Sequence, residues 1–263
     1  MEKPCRYTFA NELTAEVVQV HNLVDLPVAL DKIGLHSKCP TLVIVGGASG
    51  ISQADMSRLQ RLFVEAIAPI AQDLGVAVVD GGTDAGIMRF IGQARTAIRC
   101  TFPLLGVAAV GTVILPDVLP PCSDAAPLEP HHTHFVLVPG SKWGDESPWL
   151  ARIASVLSEG FPSVTVVVNG GEITFRDVSY SVQADRPVVT LDGTRRTADK
   201  LAAALRGEAT DSRARQLAAS GQVLTIDKNG EIGRKENWKH SRINPKWTIT
   251  FFPTNPLPHR SIS

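Results

Sequence analysis

The densest chemistry in the chain is the stretch PGSKWGDE at residues 139–146, where two glycines loosen the backbone and Asp145 and Glu146 precede a helical run. Adjacent carboxylates there can take a ribose diol or serve as general acid and base. The dipole of a following helix also favours them without any ligand. Lys142 suits a phosphate contact and Trp143 suits stacking on a base. Four further turns share this character: VIVGGASG (43–50), VAVVDGGTDAG (76–86), VTVVVNGG (164–171) and VVTLDGTRRTAD (188–199), each closing an apolar, β-like run. In a parallel sheet such turns collect at the carboxyl ends of the strands, where amides and small side chains line one crevice for a phosphate-bearing ligand. One such turn is a weak signal; five in the same register are a strong one.

Each turn also has a plainer reading. In DGGTDAGIM, Gly81 and Gly82 permit close approach of backbone to a ligand, Thr83 offers a hydroxyl and Asp84 can cap the next helix. The same residues make a tight strand-to-helix turn with no ligand at all. Arg195 and Arg196 have the fork geometry of a phosphate clamp, or form a solvated pair at a helix start capped by Thr197. His131, His132 and His134, with Glu129, invite a zinc reading, but no further ligand cluster accompanies them. Histidines packed beside a strand entrance and bonded to neighbouring loops are the simpler arrangement, and no metal or cofactor is expected.

Several enzyme classes drop out. GGASGIS after a strand resembles the start of a short-chain dehydrogenase, but strict GxGxxG is absent and Asp80 runs straight into Gly-Gly. The Tyr-x-x-x-Lys pair is missing as well: Ala184 stands where the lysine would follow Tyr180. No GxxxxGK[ST] loop occurs, which removes the P-loop NTPases.

The elements that must hold these loops alternate along the chain. Apolar runs at 41–45, 76–79, 104–109, 135–138, 164–168 and 188–191 read as strands of a buried sheet. Helices are expected at 27–35, 52–73, 84–98, from about 148, and at 198–206. The second carries Leu59, Leu62, Phe63, Ala66, Ile67 and Ile70 on one face. A connector at 116–130 with five prolines is expected to be an irregular loop over the site. Such alternation predicts an α/β fold, Rossmann-like and doubly wound, with a mostly parallel sheet and helices on both faces. Residues 1–40 form an extension packing on the core, 41–226 the domain itself, and 227–263 a tail whose Trp238, Trp247, Phe251 and Phe252 suit an arm or partner contact.

A chain of 263 residues with 26 basic and 26 acidic side chains has no broad nucleic-acid footprint and no electrostatic pull toward an anionic membrane. Its four cysteines are scattered without a CxxC pair, as in a reducing compartment. No run approaches a bilayer span, so a cytoplasmic location without membrane insertion is expected.

DGGTDAGIM, LEPHHTHFVLVPGSKWGDE, NGG and DGTRRTAD together resemble the SLOG superfamily. The similarity is to the prokaryotic form related to the cytosolic N-terminal region of melastatin-type TRP channels, and it covers residues 40–207. The resemblance implies a Rossmann-like fold that binds a nucleotide-derived ligand such as ADP-ribose, and pairing through helices into a homo-oligomer. By position it implies a site at Gly46, Gly47 and Ala48; Gly81, Gly82 and Thr83; Gly140, Gly144 and Glu146; Gly170 and Gly171; and Gly193 and Thr194. Arg195 departs from it, standing where the channels tend to have glycine. A sister branch, the LOG-type phosphoribohydrolases, carries PGGxGTxxE with an upstream catalytic arginine. Here Ser141 replaces the second glycine and residues 127–138 hold no arginine, leaving Arg89 or Arg95 as spatial substitutes. Two functions follow: a sensor or binding module for a nucleotide-derived molecule, and a hydrolase of an N-glycosidic or phosphoribosyl bond with Glu146 as acid/base.

Overall fold

The computed structural model describes residues 1–48, 50, 52–115, 118–226 and 232–233, so the aromatic residues of the tail lie outside the described residues. The first strands in chain order are β1 (Cys5–Thr8), β2 (Thr14–Gln19), β3 (Thr41–Gly46), β4 (Ala77–Asp80) and β5 (Leu104–Ala109), of which the apolar β3, β4 and β5 lie at the centre of the sheet and β1 at its edge. Beyond β6 (Val113–Ile114) and β7 (Ala126–Pro127) come β8 (His134–Val138), β9 (Ser163–Val168), β10 (Val188–Leu191), β11 (Val223–Ile226) and β12 (Ile232–Gly233). Among the described residues the main sheet has ten strands in the order β1-β2-β8-β5-β4-β3-β9-β10-β11-β12, antiparallel only at β1–β2 and β11–β12. It is therefore the mostly parallel α/β architecture that the alternating pattern predicts.

Period-two alternation sends neighbouring side chains to opposite faces. Val43 and Val45 of β3 pack on one face with α1 (Leu26–Lys32), α5 (Ser147–Leu157), α6 (Glu172–Gln183), α7 (Arg196–Arg206) and α8 (Ser212–Ala219). Leu42 and Ile44 pack on the other with α2 (Gln53–Leu62), α3 (Ala68–Asp73) and α4 (Gly86–Ala97). With both faces covered, the strands read as apolar runs rather than as amphipathic ones.

The segment 53–73 is one helical rod capped by Ser52, whose Oγ accepts from the Asp55 amide. It widens to a π turn over Phe63–Ile67. Pro69 explains the widening: it has no amide hydrogen, and its ring crowds the carbonyl four residues back. Elsewhere the first-turn chemistry differs from expectation. Asp84 does not cap α4; Ala85 occupies that place, and Asp84 Oδ1 instead accepts from Arg89 Nε at 2.6 Å. Thr197 lies inside α7 rather than at its cap, and its hydroxyl donates to Gly171 O at 3.0 Å.

Three parts had little or no local signal. β1 and β2 come from the weakly patterned start, and β2 joins the sheet by parallel pairing with β8. Helix α6 has polar residues along much of its length. Arg186, fully buried, donates to Ala151 O, Ser155 Oγ and Ser163 Oγ, tying α5 to the start of β9. The proline-rich connector is also more ordered than expected, since β7 pairs with β6 and Leu128 bridges to Thr83.

Candidate functional site

The chain runs from β3 outward through β4, β5 and β8, then returns to place β9 on the other side of β3. This reversal is the topological switch point where open α/β sheets leave a crevice at the strand carboxyl ends. A cavity of about 330 Å³ opens there. The ends of β3 and β5 supply Ile44, Val45, Gly46, Ala108 and Ala109, and the adjoining turns supply Gly47, Gly81, Thr83 and Thr112. Met88, Trp143, Glu146 and Leu150 close one side, and the start of α6 closes another with Gly171, Glu172, Ile173, Thr174 and Asp177. Arg196, at the start of α7, completes the lining.

Of the residues expected at a site, the cavity is thus lined by Gly46, Gly47, Gly81, Thr83, Trp143, Glu146, Gly171 and Arg196. The others hold those in place. Gly46 has φ +140, and a Cβ on it would fall 1.9 Å from Val168 O, so β3 can pass β9 there only as glycine. Gly82, at φ +66, lies against Gly106 and the Phe135 ring. Ala48 abuts Gly86 at the start of α4, and Gly170 packs on Thr174.

The loop after β8 is closed by its own acid. Asp145 Oδ2 accepts from the amides of Ser141 and Lys142 at 3.0 and 3.1 Å, and Gly140 sits against the Asp145 Cβ. Gly144 faces the Arg176 guanidinium and donates its amide to the Glu146 carboxylate at 2.9 Å. Trp143 Nε1 donates to Asp124 Oδ2 at 3.1 Å, which fastens the connector over the cavity. After β10, the Gly193 and Arg195 amides both donate to Asp199 Oδ1, and Thr194 Oγ1 donates to Leu191 O while accepting from the Asn169 amide. Arg195 adopts φ 76 and ψ 173, a glycine region, and its guanidinium reaches Asp55 at 3.4 Å. Neither Arg89, paired with Asp84, nor Arg95, donating to Phe102 O, reaches the cavity; its arginine is Arg196.

Asp177 is the residue that motif reading missed. It sits on α6, away from any turn, and is only 9 % exposed. Burial is the main cause that pushes its carboxyl up to about 7, and the negative charge of Glu146 adds to it. Arg176 opposes the shift, as does the Ser147 hydroxyl, which stands nearby without reaching hydrogen-bond geometry. Glu146 is likewise raised, chiefly by burial. The cavity therefore contains two interacting carboxyl groups, both raised, with Asp177 changing protonation state around pH 7. Glu172, a third acid in the lining, is drawn outward by Arg213 at 2.5 Å.

Beneath the Gly81–Gly82 turn lies a fully buried ionic cluster. His132 Nε2 meets Asp80 Oδ1 and its Nδ1 meets Glu129 Oε2, both at 2.8 Å. His131 Nδ1 meets the second Glu129 oxygen at 2.5 Å, and His134 Nδ1 instead meets the Thr133 hydroxyl. Burial alone would lower the His132 pKa, but the two carboxylates overcome it and raise it to about 9. The imidazolium stacks on Phe135 with centroids 5.3 Å apart. Glu129 reaches this place because Gly92 leaves room on α4. The cluster locks the end of β4 to the connector and so fixes one wall of the crevice.

A doubly wound sheet with a glycine-lined crevice at its switch point defines the class: Rossmann-like α/β domains. Sequence comparison specifies it further. The profile of the family described as SLOG in TRPM, prokaryote, matches residues 39–232, and the chain belongs to that family. It is 28% identical over 198 residues to the transient receptor potential cation channel subfamily M member-like 2 of Nematostella vectensis, covering 60% of this chain and 13% of the relative. Against subfamily M member 2 of Rattus norvegicus the identity is 24% over 200 residues, covering 62% and 13%. Against member 6 of Homo sapiens it is 25% over 191 residues, covering 61% and 9%. The chain thus spans a small part of the relatives it matches. No helix among the described residues is long and apolar enough to cross a membrane.

Proposed function

We propose that this protein binds a nucleotide-derived small molecule of the ADP-ribose type in the switch-point cavity and acts as a cytoplasmic sensor. The carrying observation is the convergence of Gly46, Gly47, Gly81 and Gly171 with Arg196 around one cavity of about 330 Å³. Glycine backbone and the start of a helix offer amides to a diphosphate, and a guanidinium adds charge-assisted bonds. In this reading the turn holding Lys142, Gly144 and Asp145, and that holding Gly193, Thr194 and Arg195, would flank the bound ligand. Trp143 offers a face for a base. Occupancy would be relayed through a helix contact between copies of the chain.

The test is isothermal titration with ADP-ribose, AMP and related nucleotides, followed by chromatography of the recovered compound. Saturable binding with the compound returned intact supports the reading, and Glu146→Gln should then weaken binding. Absence of binding by every nucleotide would overturn it. A second reading, hydrolysis of an N-glycosidic bond, is favoured by the coupled Glu146 and Asp177 carboxyls, which have the acid and base character such chemistry uses. Recovery of free base and sugar phosphate would establish that reading, and Glu146→Gln would then abolish product formation.

A further inference from the structure

The cavity is chemically two-ended. The glycine turns and Arg196 form one end; at the other, Asp177 lies six residues beyond Gly171 along α6, about 9 Å by the helical rise. That span matches a 5-phosphorylated ribose from phosphate to ring hydroxyls, with a hydrogen bond at each end. Asp177 is nine-tenths buried and lines the cavity beside Glu146, with the Ser147 hydroxyl as a weakly placed protein neighbour. A buried carboxyl in that position is costly unless something that enters the cavity satisfies it.

Resting on the nucleotide reading above, we infer that Asp177 and Glu146 together form a subsite for the vicinal hydroxyls of a ribose, so that the protein selects ribose over deoxyribose. The two carboxyls suit a diol better than any single charge. A protonated Asp177 donates through its O–H and accepts through its carbonyl oxygen, while Glu146 accepts. A vicinal diol is both donor and acceptor, so it can meet both acids at once. A second phosphate at this end would face Glu146 and Asp177 across a water-poor space and is disfavoured by like charge. The ligand would therefore enter with its phosphate toward Gly171 and Arg196 and its sugar inward. Glu172 does not compete for the sugar, because Arg213 holds it.

The test compares ADP-ribose and AMP with their counterparts lacking the 2′-hydroxyl on either sugar, using titration calorimetry on the native chain, Asp177→Ala and Asp177→Asn. Far-ultraviolet circular dichroism and a thermal melt establish that each variant is folded. The native chain should lose about tenfold or more in affinity when the bound sugar's hydroxyl is removed. In Asp177→Ala that penalty should shrink to about threefold or less. Asp177→Asn, which keeps a donor and an acceptor without charge, should retain most of it, and it carries the test if the alanine variant does not fold. Equal affinity of native protein for ribose and deoxyribose forms would overturn the subsite while leaving the nucleotide reading intact. A penalty unchanged in both variants would assign the hydroxyl contact elsewhere and overturn it too. Failure of every nucleotide to bind the native chain would overturn both readings together.

Discussion

Replacing His132 by leucine should be among the most damaging single changes in this protein, and its cost should depend on pH in one direction. The imidazole is fully buried between Asp80 and Glu129, 2.8 Å from each. Removing it leaves two carboxylates without their shared cation, and breaking a buried ion pair from one side costs about 3–5 kcal/mol. The folded-state pKa of His132 is raised from 6.5 to about 9. A group raised on folding contributes stability that is fully present below its unfolded value and lost as pH climbs through its folded value. The stabilisation should therefore be complete below pH 6.5 and largely gone above pH 9, a change of roughly 3 kcal/mol. Glu129, held below its usual range by His132 and His131, stays ionised throughout this window. Asp177 and Glu146, both raised, weaken the fold as pH rises but do so equally in native protein and variant, so they cancel in the difference. Urea unfolding of both proteins between pH 6.5 and 9.5 gives that difference directly. A gap of several kcal/mol at pH 6.5 that narrows toward pH 9.5 is expected. A gap independent of pH would show that His132 is not held as an imidazolium and would refute the account of the cluster.

Two further predictions concern backbone positions. Gly92→Ala lies in the middle of α4, where alanine ordinarily gains about 1 kcal/mol. Here the new Cβ would fall 2.2 Å from Glu129 Oε2, so urea unfolding should show a loss of about 1–3 kcal/mol, and a gain would mean that Glu129 is not where the structure has it. Arg195→Gly should relieve a non-glycine residue from φ 76. After allowance for the freer unfolded chain and the exposed pair with Asp55, the variant should be more stable by about 1 kcal/mol. A drop of similar size in the same unfolding assay would show that the Arg195–Asp55 contact outweighs the strain.

The elements that the sequence determined by itself are those whose cause is local. Alternating and β-branched runs such as Thr41–Gly46 and Ser163–Val168, the apolar face of residues 53–73 behind Ser52, and the glycine turns after the strands all follow from backbone sterics and side-chain pattern within a few residues. So does the doubly wound class, because right-handed crossovers leave few ways to join such units. The family likeness was also legible, since the same turns carry it. Local pattern did not reveal β2, whose place beside β8 depends on partners more than a hundred residues away. Nor did it separate the turns that meet from those that support them. Gly46, Gly81 and Gly171 converge because the chain reverses between β3 and β9, whereas Gly193 is tied to Asp199 and Thr194 to Leu191 and Asn169. The charge states belong to tertiary structure entirely. His132 is an imidazolium because Asp80, 52 residues earlier, is folded against it, and the Asp177 carboxyl is pushed up to about 7 because α6 buries it beside Glu146. A titration is governed by the dielectric and the charges within a few ångströms, and those neighbours come together only when the chain has folded.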